Sequence, residues 1–196
     1  MSESSFSGQI GLVLLPDRDT RDRALQIARE FSVGNSIKLG TIAEPHISLY
    51  HSKLSNVPGT VIDEYLKECA SRLPLPLTFT TLSTFGEKFL FWNIEKDEQL
   101  LSLHESALQL SAYFVPEGEQ QPDRENVILS EDEKACVAQY GHPRVGALWQ
   151  PHITLGYFSE SLPTDIGSQP FSGAATGVAF VRIGEAGTIS EILMRR

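Results

Sequence analysis

A chain of 196 residues with 41% hydrophobic and 21% charged side chains can bury a core of its own, so general disorder and a disulfide- or metal-stapled miniature fold are excluded. Its 25 acidic against 16 basic residues leave a formal net charge of -9, the wrong sign for wrapping duplex DNA, although a small anionic ligand can still meet a locally positive pocket. Cys69 and Cys136, with no Cys-x-x-Cys spacing, read as reduced thiols, and the lack of a basic leader or a long apolar run predicts a cytoplasmic protein with no membrane partner.

In chain order, the apolar run Ile10 to Leu15, closed by Pro16, predicts a buried strand. Asp19 or Thr20 then caps a helix whose Ala24, Ile27, Ala28 and Phe31 follow helical spacing until Gly34. A second strand spans Pro45 to Leu54, and from about Thr60 a second helix carries Ile62, Tyr65, Leu66, Cys69 and Leu73 on one stripe up to Pro74. Leu75 to Phe85 and Lys88 to Glu95 are separated by Gly86-Glu87 and read as an antiparallel hairpin. Asp97 caps a third helix to about Phe114.

The polar stretch from Val115 to Asn126 has almost nothing to bury and reads as a loop or as the join, around 115–129, between two halves. Ser130 with Glu133 forms a capping-box pattern that opens a helix through Tyr140. Strands follow at Pro151 to Phe158, Gly177 to Ile183 and Thr188 to Leu193, the last two joined by a Gly-bounded turn. The tally is an α+β fold, with 1–196 read as a single domain of two lobes.

One internal match dominates the sequence: Pro45-His46-Ile47-Ser48-Leu49-Tyr50 against Pro151-His152-Ile153-Thr154-Leu155-Gly156-Tyr157. A chance recurrence has a probability on the order of one in a thousand or less, and a spacing of about 100 residues is too long for a solenoid, so two related halves are implied. Strand alternation puts His46, Ser48 and Tyr50 on one face and Ile47 and Leu49 on the other. In the second copy His152 and Thr154 share a face, with Ile153, Leu155 and Tyr157 opposite. Brought together about a pseudo-twofold, the strands would line a cleft with two imidazoles and two hydroxyls. That inventory suits phosphoester chemistry: one ring takes a proton from the attacking oxygen, the other gives one to the leaving oxygen, and the hydroxyls hold phosphate oxygens.

On these residues the chain resembles the 2H phosphoesterase superfamily, defined by two His-x-[Ser/Thr]-x motifs, here His46-Ile47-Ser48-Leu49 and His152-Ile153-Thr154-Leu155. The resemblance implies a bilobal α+β duplication, antiparallel sheets lining a central cleft with helices outside, and catalysis by His46, Ser48, His152 and Thr154 without metal or other cofactor. It also implies a small nucleotide or RNA-end substrate, a cyclic phosphate or a 2',5' or 2',3'-cyclic phosphodiester. The family includes RNA 2',3'-cyclic phosphodiesterases, also called 2'-5' RNA ligases, and ADP-ribose cyclic phosphodiesterases. Ser48 stands where Thr is commoner, which keeps the hydroxyl. Gly156-Tyr157-Phe158 stands where some RNA-ligase-like members carry an Arg, which leaves the substrate open. His152 is taken as general base and His46 as general acid. The alternatives are a non-catalytic nucleotide-binding or interaction module of the same fold, or a 2'-5' ligase-type activity. A monomer is expected.

Several neighbours bear on substrate binding. Tyr50, Trp149 and Tyr157 flank the motifs and are candidates to stack on a base, with Tyr50 favoured because it shares the face of His46 and core packing competing for the other two. His51, an odd number of residues from His46, points away on a regular strand, and with no HExxH motif or Cys/His cluster no metal site is expected. His104 and His142 read as structural or solvent-exposed. Arg144 and Lys53, near the motifs, are the sources of positive charge in view.

Overall fold

The computed structural model describes residues 4–41, 43–116, 129–162 and 166–196. Strand β1 (Ser5–Pro16) ends where Pro16 interrupts the ladder, and the Asp17 carboxylate accepts the Thr20 N–H at 2.8 Å to start α1 (Arg18–Glu30). The cap is thus Asp17 rather than Asp19 or Thr20. Strand β2 (Ile47–Pro58) leads directly into α2 (Gly59–Ala70), and β3 (Leu75–Phe85) pairs with β4 (Phe89–Ile94) as the expected hairpin. At its tip Gly86 and Glu87 both take positive φ, +56° and +61°, and the Lys88 N–H donates to the Phe85 carbonyl at 3.3 Å.

Asp97 caps α3 (Glu98–Leu108), which tightens into a 3-10 turn over Gln109–Tyr113. The capping box of Ser130 and Glu133 opens α4 (Glu131–Tyr140), and Gly141, left-handed at φ +70°, closes it. Then come β5 (His152–Tyr157), β6 (Ser168–Ile183) and β7 (Ile189–Arg195). Strand β6 starts nine residues before the sequence pattern predicts. Its first half, rich in Ser, Gly and Ala, has little apolar signal of its own and is held by its pairing with β3 from Leu75↔Ala175 to Thr81↔Ser168. The join expected around 115–129 falls almost wholly outside the described residues.

The sheet is antiparallel throughout and β6 is its spine. Ala175 pairs with Pro16 on one edge and with Leu75 on the other, so β6 serves two lobes: β2-β1-β6-β7 and β5-β4-β3-β6. The lobes meet again where β2 touches β5 at the single pair Ile47↔Ile153. This is the expected α+β duplication. The helices cross over between lobes: α1, which follows β1, packs on β5, and α3, which follows β4, packs on β2.

The main core lies between sheet and helices, with Ile10, Leu12 and Leu14 of β1, Leu90 and Trp92 of β4, and Ile27, Leu66 and Leu103 of the helices. A smaller cluster of Val13, Leu15, Ala179, Val181 and Ile189 sits on the opposite face of the first lobe. Cys69 is buried in the main core and Cys136 is half-buried, both as free thiols. Among the described residues no helix is long and apolar enough to cross a membrane.

Candidate active site

The two motifs come together at their centres. Ile47 and Ile153, both fully buried, are cross-strand partners, and antiparallel counting from that pair sets His46 level with Thr154 and Ser48 level with His152. The polar members therefore lie on the face away from the isoleucines, as strand alternation predicts. Ser48, His152 and Thr154 line a cleft of about 260 Å³, a volume near the lower end for small-molecule sites.

A second symmetry lies just beyond each motif. The β1–β2 register runs Val13↔Ser48 and then Leu12↔Tyr50, leaving Leu49 as a bulge, while the β4–β5 register runs Phe91↔Thr154 and then Leu90↔Gly156, leaving Leu155 as a bulge. Each extra residue reverses the alternation for the side chains after it. Tyr50, expected on the His46 face, is level with Leu12 after the bulge and packs in the main core while still contributing to the cleft wall. It is 2% exposed, its hydroxyl donates to the Tyr140 carbonyl at 2.7 Å, and burial pushes the phenol up to about 12. His51, expected to point away, is turned into the cleft opposite Gly11 and packs edge-on against His142 at 4.5 Å. Tyr157, expected on the apolar side, is turned to the face of its partner Phe89, with ring centroids 4.6 Å apart.

Both catalytic candidates are anchored in the same way. The Nδ1–H of His46 donates to the Glu44 carbonyl at 2.9 Å, and that of His152 to the Gln150 carbonyl at 2.7 Å, each two residues back. This tautomer leaves Nε2 of His152 for proton transfer, whereas His46, which is not among the residues lining the cleft, also has the Gly187 backbone beside its ring. His46 is the deeper ring, 8% exposed, with the Gly187 backbone of the β6–β7 turn at its side. Burial holds it below its ordinary 6.5, while the Glu44 and Gly187 backbones favour its charged form. His152 is half-buried, its ring stacked on Phe91 at 3.7 Å. Desolvation pushes it down to about 4, opposed by the Gln150 carbonyl and reinforced by the charges of His46 and Arg144.

The bulges are held by residues that the sequence pattern did not single out for this task. The carbonyl of Leu49 accepts from His104 Nδ1 at 2.6 Å, and the carbonyl of Leu155 accepts from Asn35 Nδ2 at 3.2 Å. Asn35 Oδ1 also accepts the Tyr157 N–H at 3.2 Å, and a side chain at Gly156 would meet Asn35 Nδ2 at 2.6 Å. His104, fully buried on α3, accepts the Gly146 N–H at Nε2 at 2.8 Å and is pushed down to about 4 by burial. Its ring stacks on Trp149 at 4.2 Å with planes 2° apart, and the Trp149 indole N–H donates to the Ser48 carbonyl at 3.2 Å. His104 is therefore structural, and Trp149, 5% exposed, holds the first motif from the flank of the second.

Phe85, Phe89 and Phe91, an aromatic strip on the β3–β4 hairpin, form one wall of the cleft. The signal was available as alternate aromatics on β4, where Leu90 and Trp92 face the core. Arg144 lies over the Phe85 ring at 3.9 Å and is paired with Glu133 at 3.1 Å, whereas Lys53 is not among the cleft residues. Among the described residues no three His, Cys, Asp or Glu side chains gather as a metal site.

Comparison with solved structures gives the same architecture. The protein TT0787 of Thermus thermophilus is 16% identical with a TM-score of 0.53, covering 95% of this chain and 96% of its own. E. coli LigT, in complexes with ATP and with 3'-AMP, is 13% identical with a TM-score of 0.54, covering 97% of this chain and 98% of its own. No curated protein matches the sequence. The model of the 2'-5' RNA ligase superfamily matches residues 38–182, a span holding both motifs, both bulges and the hairpin between them. The chain belongs to the 2'-5' RNA ligase superfamily, the 2H phosphoesterases.

Proposed function

We propose that this protein is a metal-independent phosphodiesterase that opens a cyclic phosphate, or cleaves a 2',5' or 2',3'-cyclic phosphodiester, of a small nucleotide or RNA end. The observation that supports this most is the matched placement of the two motifs across the Ile47↔Ile153 contact, which sets His46 level with Thr154 and Ser48 level with His152, each imidazole anchored through Nδ1–H on a carbonyl two residues back. In this reading water attacks phosphorus as His152 Nε2 takes its proton. The bond from phosphorus to the leaving oxygen breaks as His46 gives that oxygen a proton, and solvent exchange restores both rings.

The role order follows the environments. His152 carries more opposition to charge, from His46 and Arg144, and serves as base; His46 has two backbone partners that favour its protonated form and serves as acid. Ser48 and Thr154 donate to the non-bridging oxygens, where charge builds in the transition state. The Phe85, Phe89 and Phe91 strip offers stacking surface to a base.

The test is incubation of the purified protein with 2',3'-cyclic nucleotides and 2',5'-linked dinucleotides in EDTA. Ring opening or cleavage that drops by about 100-fold or more in His46→Ala and in His152→Ala supports the reading. Binding without turnover across the panel would establish the nucleotide-binding module instead, and joining of RNA ends without hydrolysis would establish the ligase.

A further inference from the structure

The cleft carries a charge pattern that the two motifs do not need. On a protein of formal net charge -9, its lining holds, among the described residues, no carboxylate and one formal cation, Arg144. This guanidinium is fixed on two sides: its Cζ lies 3.9 Å from the centre of the Phe85 ring, and its Nε donates to Glu133 Oε1 at 3.1 Å. The backbone is fixed too, since the Arg144 N–H donates to His142 Nδ1 at 3.2 Å and Gly141 ends α4 two residues before Pro143. Glu133 sits at the capped start of α4, so the same capping box that begins the helix braces the cation.

The contacts from the reacting centre to Arg144 run through two aromatic rings, although its charge still acts on His152. Phe91 stacks on His152 at 3.7 Å, Phe85 lies 6.2 Å from Phe91, and Arg144 covers Phe85. Seated on Phe85 at the aromatic wall, this cation is placed to meet a neighbouring anionic group along the same substrate besides the phosphate assigned to Ser48 and Thr154. An Arg that lines the cleft and is held in place suits phosphate oxygens, because little side-chain freedom remains to be lost on binding.

We propose that Arg144, seated on Phe85 and braced by Glu133, binds a second phosphoryl group of the substrate, so that the preferred substrates are nucleotides or oligonucleotides with a phosphate besides the one that reacts. The proposal rests on the phosphodiesterase reading above and narrows its substrate class. The experiment compares kcat/KM for a nucleoside 2',3'-cyclic phosphate with and without a 5'-phosphate, in wild type, Arg144→Gln and Arg144→Lys. The ratio of the two values within one variant is insensitive to how much of that variant is folded.

The expected wild-type ratio is about tenfold or more, as one charge-assisted phosphate contact supplies, falling as salt is raised. Arg144→Gln brings the ratio to near one and Arg144→Lys recovers part of it. A wild-type ratio near one, or an unchanged ratio in Arg144→Gln, overturns the proposal. If the wild type turns over neither substrate, the phosphodiesterase reading fails by itself, and the subsite is read by equilibrium binding of a nucleoside 3',5'-bisphosphate against the 3'-monophosphate. Tighter bisphosphate binding that is lost in Arg144→Gln sustains the subsite, and equal binding overturns it.

Discussion

His104 is the buried joint between α3, the first motif and the turn before the second, and acid should loosen it in a calculable way. Its ring is fully buried and neutral, with Nδ1–H on the Leu49 carbonyl, Nε2 accepting from Gly146, and Lys96 adding a smaller charge repulsion. The folded value of about 4 lies below the unfolded value near 6.5, so on acidification the unfolded chain takes the proton first. The stabilisation is complete above the unfolded value and drains away as pH falls toward 4. Between pH 7 and 4.5 the loss is about 2.5 kcal/mol from this one ring. The perturbation that isolates it is His104→Phe, which keeps the stack on Trp149 but cannot titrate or hydrogen-bond. At pH 7 the variant should be less stable by about 2–4 kcal/mol, because a buried carbonyl and a buried N–H lose their partner. Urea denaturation at pH 7 and pH 4.5 then measures the gap between the two proteins, and carboxylates and His152 cancel because both proteins carry them. The gap should narrow by about 2.5 kcal/mol at the lower pH. A gap that stays constant within about 0.5 kcal/mol would refute the neutral, doubly bonded ring.

The remaining predictions concern the cleft and its scaffold. With His152 near 4 and His46 below its ordinary 6.5, kcat/KM on a cyclic nucleotide, whose phosphate does not titrate in this range, should trace a bell with its optimum below about 6.5. A plateau extending through pH 8 would show that neither ring must be protonated. Thr154→Val should lower kcat by about 10- to 100-fold, with Thr154→Ser restoring most of it, and Ser48→Ala should behave like the valine variant; losses confined to KM would assign these hydroxyls to ground-state binding alone. Gly11→Ala would drive a methyl into the His51 Cβ and to 2.6 Å from the Tyr50 carbonyl, so thermal melting should show a loss of about 2 kcal/mol or more; an unchanged melting temperature would contradict the β1–β2 register.

The repeated Pro-His-Ile-[Ser/Thr]-Leu, the breakers around it, the hairpin at Gly86-Glu87 and the capping box of α4 are local patterns, and each is set by residues within a few positions of one another. The α+β class, the pairing of two histidines with two hydroxyls and the polar face of each motif were therefore readable from the amino-acid sequence alone. What tertiary structure decided begins at Leu49 and Leu155. A bulge is a property of two strands, because one of them must lack the partner residue, and strand-by-strand alternation has no means of registering it. Those two slips in register turned His51 into the cleft, set Tyr50 beside Leu12 and placed Tyr157 against Phe89. The same holds for Asn35, His104, Trp149 and Arg144, whose partners lie far along the chain or in another element. Their roles come from which carbonyl, ring or carboxylate the folded sheet sets beside them, and those distances exist only once β6 has joined the two lobes.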